Sequence, residues 1–238
     1  NEMVLSGLER AGGGTIEVAG LDFAALDEDA LAKARRGRIG IVLQEVSDAG
    51  MLTVGETVRM FASCYGAARR PRDVLGLVGL DGAADAKVRT LSGGQRRRLD
   101  VALGIVGEPE LLFLDEPTTG FDPEARQQFW ELIRLLAADG TTILMTTHYL
   151  EEAAALADRV AVVAAGTVVA VDSPTRLTEH VDTAATVRWF DGDIERIERT
   201  ATPTELIGRL GADGRELTGL TVSRPTLEEA YLQLIGHS

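Results

Sequence analysis

One cysteine, Cys64, is present in 238 residues, so no internal disulfide can form and a reducing compartment suits the chain. Only two lysines occur, Lys33 and Lys87, and each follows an alanine. The phosphate loop G-x-x-x-x-G-K-[ST] needs a Gly-Lys pair, and the sequence contains none. No apolar run approaches the ~20 residues that cross a bilayer. The closest, "RVAVVAAGTVVAV", is interrupted by Gly166 and Thr167 and reads as two strands around a tight turn. Three scattered histidines, His148, His180 and His237, with a single cysteine exclude a structural zinc site. A net charge of −13 argues against broad nucleic-acid binding, which relies on basic side chains. It leaves room for a small local nucleotide site. An apolar content of 45% with mixed charge excludes a disordered chain.

What is present reads as α/β. "NEMVLSGL" has the apolar spacing of a helix. "ERAGGGTIEVAG" is a loop and short strand, and "GRIGIVLQE" a buried strand ending in Gln44. Thr53 and Glu56 form a capping-box pair that starts a helix. Residues from 48 to 105 are expected to be mostly helical, with "ARRPRD" and "GLDGAAD" as loops. "PELLFLDEP" is an apolar strand closed by two acids and a proline. The next helix has Asp122 as N-cap, Pro123 at its first position and Gly140 past its end. "TTILMTTH" is a further buried strand, ended by His148. Continuous apolar strands separated by helices imply a parallel sheet covered on both faces. Beyond "VDSP" the composition changes to that of a small α/β appendage.

Three stretches carry chemistry. In "LSGGQRRRLD", Ser92 and Gln95 form an S-x-x-Q capping box. A cap alone does not explain Gly93 and Gly94, since glycine costs ~1 kcal/mol in a helix relative to alanine. A backbone that must approach an anion closely would explain them. Arg96, Arg97 and Arg98 read as a solvated face. Asp115 and Glu116 stand where a buried strand emerges. They are either two solvated acids before a turn, or a Mg²⁺ ligand beside a base for water. His148, Gln44 and Asp122 are each unremarkable alone: a packed or surface histidine, a strand-end glutamine and a helix cap.

In order and spacing, Gln44, "LSGGQ", "LLFLDEP" some 20 residues later, Asp122 in "FDP" and His148 form a series. The series resembles the ATP-binding-cassette (ABC) ATPases through nearly the whole chain. Gln44 matches the Q-loop, "LSGGQ" the signature motif, "LLFLDEP" Walker B, Asp122 the D-loop and His148 the switch histidine. "LERAGGGTIEVAG", "TTHYLEEA" and "SRPTLEEAYLQL" are similar to the ATPases of drug- and polysaccharide-type bacterial exporters, the daunorubicin-resistance group above all. Phe121 departs from the leucine usual in that position.

The resemblance implies a P-loop NTPase-like (RecA-like), mostly parallel sheet core. Residues 1–47 and 106–178 would form this core, 48–105 a helical signature subdomain and 179–238 an accessory domain. It implies ATP and Mg²⁺ as ligands. Asp115 and Gln44 would serve the metal, Glu116 and His148 catalysis, and Ser92, Gly93, Gly94, Gln95 and Asp122 the nucleotide and its dimer site. The partners implied are a second cassette, identical or not, and a multi-span membrane permease, without nucleic acid, at the cytoplasmic face of the membrane. Within the family the Walker A loop precedes a helix like "NEMVLSGLE", with which this sequence opens. That region is therefore expected to be missing, and the chain is expected to bind ATP poorly by itself. Two alternatives stand beside an exporter ATPase. One is a non-hydrolysing cassette that lends its signature motif to a competent partner, and the other a soluble ABC protein outside transport.

Overall fold

The computed structural model describes residues 17–18, 20–22, 26, 30, 32–33, 36–42, 51–179, 184–212, 214 and 216–236. The expected helix at "NEMVLSGL" and the positions of Gln44, His180 and His237 lie outside the described residues. The chain divides into two compact units after His148.

In the first unit, Glu17–Val18 (β1) and Leu21–Asp22 (β2) form a small antiparallel hairpin. The sheet that matters for the site has the order β3-β4-β5 and is parallel throughout: Ile39–Val42 (β3), Leu111–Asp115 (β4) and Thr142–Thr146 (β5). The central strand is buried on both faces, with Leu112 and Leu114 fully enclosed and Phe113 nearly so. That is the burial a continuous apolar run requires. "TTILMTTH" is less buried than its composition suggests. Among the described residues β5 pairs on one side only, and Leu144 is 42% exposed. The strand also ends at Thr146, two residues before His148.

This unit also contains the helices Val54–Ala62 (α1), Pro71–Leu77 (α2), Gly93–Ile105 (α3) and Pro123–Ala138 (α4). The Thr53–Glu56 capping box forms in both directions. These two bonds hold the Glu56 carboxyl below its ordinary range. "ARRPRD" is only half a loop. Pro71 occupies the first position of α2, where its fixed φ suits a helix and its missing N–H costs nothing. Helix α4 buries Phe129, Trp130, Leu132, Ile133 and Leu136, one apolar face of an amphipathic pattern.

Helix α3 lies on β3 with almost no side chain between them. A methyl group at Gly40 would come within 2.3 Å of the Gly104 carbonyl oxygen, and one at Gly104 within 2.8 Å of Val42 Cγ2. One at Gly107 would strike the Tyr65 ring at 2.6 Å. These glycines are fixed by packing.

The second unit contains a hairpin of Val160–Ala164 (β6) and Thr167–Asp172 (β7). It turns through Ala165 and Gly166, both with positive φ. Helices Leu150–Leu156 (α5) and Pro174–Glu179 (α6) belong to the same unit. After them come Ala185–Asp191 (β8), Ile194–Thr200 (β9), Pro203–Leu210 (α7), Thr221–Ser223 (β10) and Leu227–Gly236 (α8). These last three strands form an antiparallel sheet in the order β10-β8-β9, and Val187, Trp189 and Leu206 make a small core. The chain after "VDSP" thus combines helices with an antiparallel sheet, within a unit that begins at Tyr149.

Candidate functional site

The parallel pairing of β4 and β5 sets Asp115 opposite Thr146, so the two acids emerge beside the next strand's end. Thr146 Oγ1 donates to Asp115 Oδ1 at 2.6 Å. The Glu116 N–H donates to Thr146, to its carbonyl oxygen at 3.1 Å and its hydroxyl at 3.2 Å. The two carboxylates then diverge. Glu116 Oε2 accepts from the Thr119 hydroxyl at 3.2 Å, and Glu116 Oε1 lies 3.3 Å from His148 Nδ1. Asp115, Glu116 and His148 are therefore one cluster, half-exposed at the carboxyl ends of two parallel strands. That is where open α/β sheets bind ligands.

Glu116 has φ 43°, a left-handed conformation that a residue with a Cβ adopts at a cost. Such strain amounts to about 1–3 kcal/mol and persists where the surroundings over-determine it. The surroundings here are β5 on one side and Arg97 on the other. Arg97 is 7% exposed. Its Nε donates to the Pro117 carbonyl at 3.1 Å, and one terminal nitrogen donates to the Asp115 carbonyl at 2.6 Å. The solvated face expected at Arg96–Arg98 is thus corrected in two of its three positions. Arg98 bonds to the Val78 carbonyl at 3.3 Å and to Gln128 at 2.6 Å. For Arg97 the physical reason is the start of the turn after β4, where the Asp115 and Pro117 carbonyls take the guanidinium as donor.

Burial lowers the Arg97 pKa, against the attraction of Asp100 and Asp115. Burial also raises the Asp100 carboxyl to about 6, against the attraction of Arg97 and Arg96. For both groups desolvation outweighs pairing.

The N-terminus of α3 lies apart from this cluster in its bonding. Ser92 and Gln95 complete their capping box with each other, at 3.2 and 3.1 Å. The N–H groups of Gly93 and Gly94 find no acceptor among the described residues. A methyl group added at either glycine would meet no atom within 4 Å, and neither has a positive φ. Nothing described in this chain requires glycine there, in contrast to Gly40, Gly104 and Gly107. Ser92, Gly93 and Gln95 are exposed and Gly94 is half-buried, so this helix start is largely open.

Asp122 caps α4 through a bond from the Ala125 N–H at 2.8 Å and does not join the acidic cluster. Beside it, Phe121 sets its ring edge-on to Phe129, with centroids 5.7 Å apart. The larger side chain is used as packing.

Residues 3–119 match the ABC transporter family. A daunorubicin resistance ATP-binding protein of Streptomyces coeruleorubidus is 35% identical, over 98% of this chain and 81% of its own length. The chain belongs to the ABC transporter family. A Nod factor export ATP-binding protein of Bradyrhizobium diazoefficiens is 34% identical over 89% of this chain and 77% of its own. Among solved structures, the dimeric ATP-binding cassette MJ0796 bound to ADP and Pi superposes with a TM-score of 0.64 at 25% identity. It covers 72% of this chain and 78% of its own. The parallel sheet with its helices is the fold of the ABC ATPase cassettes.

Arg97 and Thr146 hold the acidic cluster in place, and neither stands out in the sequence by itself. Thr146 is the last residue of a strand whose neighbour ends in the acid pair, and parallel pairing would have pointed to it. For Arg97 no local signal existed.

Proposed function

We propose that this ABC protein is the ATP-binding and ATP-hydrolysing subunit of a bacterial exporter, working as a pair of cassettes at the cytoplasmic face of the membrane beside a multi-span permease. The observation that carries the reading is the pairing of Glu116 with His148 beside Asp115 at the strand ends. The relatives' names, which speak of daunorubicin resistance and Nod factor export, support the export direction. No helix among the described residues is long and apolar enough to cross a membrane, so transport by this reading needs a partner. Residues 48–105 are the helical subdomain that would meet this partner, 1–47 and 106–178 the ATPase core, and 179–238 an accessory domain.

Among the described residues no group of three or more acidic, histidine or cysteine side chains is arranged to hold a metal ion by itself. Asp115, a hard oxygen ligand, fits Mg²⁺, which keeps several waters and takes few protein carboxylates. Asp115 would hold the ion, with Gln44 near it. When bound, Mg²⁺ neutralises charge on the phosphates. Glu116 orients and polarises the attacking water, with its carboxylate held from one side by Thr119 and from the other by His148. His148, exposed on its far side, reaches the γ-phosphate. Ser92 and the free N–H groups of Gly93 and Gly94 hold the γ-phosphate of a partner's nucleotide, as helix N-termini hold anions. Asp122 links the two sites across the dimer.

Replacing Glu116 by Gln keeps the shape and removes the base, a change worth about 10²–10⁴-fold in rate. ATP turnover of the Glu116→Gln protein should fall by that order with nucleotide binding retained. Unchanged turnover would contradict the assignment.

A further inference from the structure

The first three carbonyls at the turn after β4, those of Asp115, Glu116 and Pro117, are all engaged. The Asp115 and Pro117 carbonyls accept from one buried guanidinium, that of Arg97, and the Glu116 carbonyl accepts from the Thr119 N–H at 3.3 Å. On the opposite side the Glu116 N–H is held by Thr146. A guanidinium is planar and presents several donors in a fixed fork, so it can reach two carbonyls that are one residue apart. An ammonium is a single point on a flexible stem and cannot hold both in a fixed spacing. The same helix that supplies Arg97 begins with Gly93 and Gly94, one turn earlier.

We propose that Arg97 is a positioning residue. By clamping the carbonyls on either side of Glu116, it keeps that carboxylate in its working orientation and ties it to the helix whose open end faces a partner. This rests on the reading of Glu116 as the base. Arg97 itself touches no substrate. Asp100, on the next turn of α3, offsets by its charge part of what burial costs the guanidinium.

The test uses the full-length protein expressed from its gene. Arg97→Lys retains the charge and the aliphatic stem but not the fork, and Arg97→Gln provides a second, neutral variant with a single donor group. Either should lower kcat about tenfold or more, with KM for ATP unchanged, because positioning for the chemical step is lost and binding is not. In a Glu116→Gln background the same substitution should change the residual turnover less than about twofold, since residues that act through one another are not additive. Without nucleotide, the Glu116 and Thr119 amides should exchange about tenfold faster in Arg97→Lys, while those of Phe113 and Leu114 keep their protection. Wild-type kcat in both variants would overturn the proposal. So would an equal loss in both backgrounds, the mark of a merely structural role, or unchanged exchange at Glu116 and Thr119. Full turnover in Glu116→Gln alone would instead overturn the base assignment, and with it the purpose given to the clamp.

Discussion

Asp100 is half-buried on α3, three residues after Arg97, and its titration is opposite in sign to that of a salt-bridged surface acid. In the unfolded chain it ionises near 3.8, and in the folded protein near 6. Between those values the native state keeps a proton that the unfolded state has lost. The stabilisation tied to that proton is therefore complete below the lower value and is lost as pH rises through the upper one. Relative to Asp100→Asn, the wild-type protein should lose stability between pH 4 and 6 and change little from there to pH 8. Urea denaturation of both proteins across that range measures the difference. Parallel curves would show that Asp100 titrates alike in both states. The sign matters for Arg97 as well, because the ionised Asp100 present at neutral pH supports the buried guanidinium at some cost in stability.

At the scale of an element, α3 has glycines of two kinds. Gly104 is held against Val42 and Leu112, so Gly104→Ala must displace β3 or its side chains. It should destabilise by about 1–3 kcal/mol, the usual cost of overpacking. Gly94 stands in open space with an ordinary φ. Gly94→Ala should stabilise the fold by up to about 1 kcal/mol from helix propensity, yet lower ATP turnover by obstructing the approach of a phosphate. Thermal and chemical denaturation together with ATPase assays separate the two effects. Loss of stability in Gly94→Ala would place the glycine with the packing group.

The same helix marks the limit of what its sequence discloses. Its start was legible because a capping box is local: Ser92, Gln95 and the residues between are all that is needed. The same holds for Thr53 with Glu56 and for Asp122 with Pro123. The burial of Arg97 depends on carbonyls 18 and 20 residues further on, so three consecutive arginines read as one solvated surface. "TILMT" has the composition of a central strand, and which of its sides is paired among the described residues follows only from the sheet order. Glu116 is legible as an acid after an apolar run. Its left-handed backbone and its contact with His148 arise from the way two strands end side by side.

For the whole molecule, the site divides into an acidic cluster on the sheet and a largely open helix start on α3. Among the described residues Arg97 of α3 ties the two together through the Asp115 and Pro117 carbonyls. In the proposed function two subunits are needed, with the open backbone at Gly93 and Gly94 of one completing the cluster of the other. Ser92→Glu would place a negative charge where a phosphate belongs, and Glu116→Gln would remove the base, so each variant alone should be nearly inactive. Their mixture forms dimers in which one site pairs an intact Glu116 with an intact Ser92 while the other site has both defects. The most direct measurement is ATP turnover of the two inactive proteins before and after mixing. Recovery to about a quarter of the wild-type rate is predicted, because random pairing makes half the dimers mixed and each has one sound site. No recovery, with mixed dimers shown to form, would contradict the claim that Ser92 and its glycines serve the partner's nucleotide.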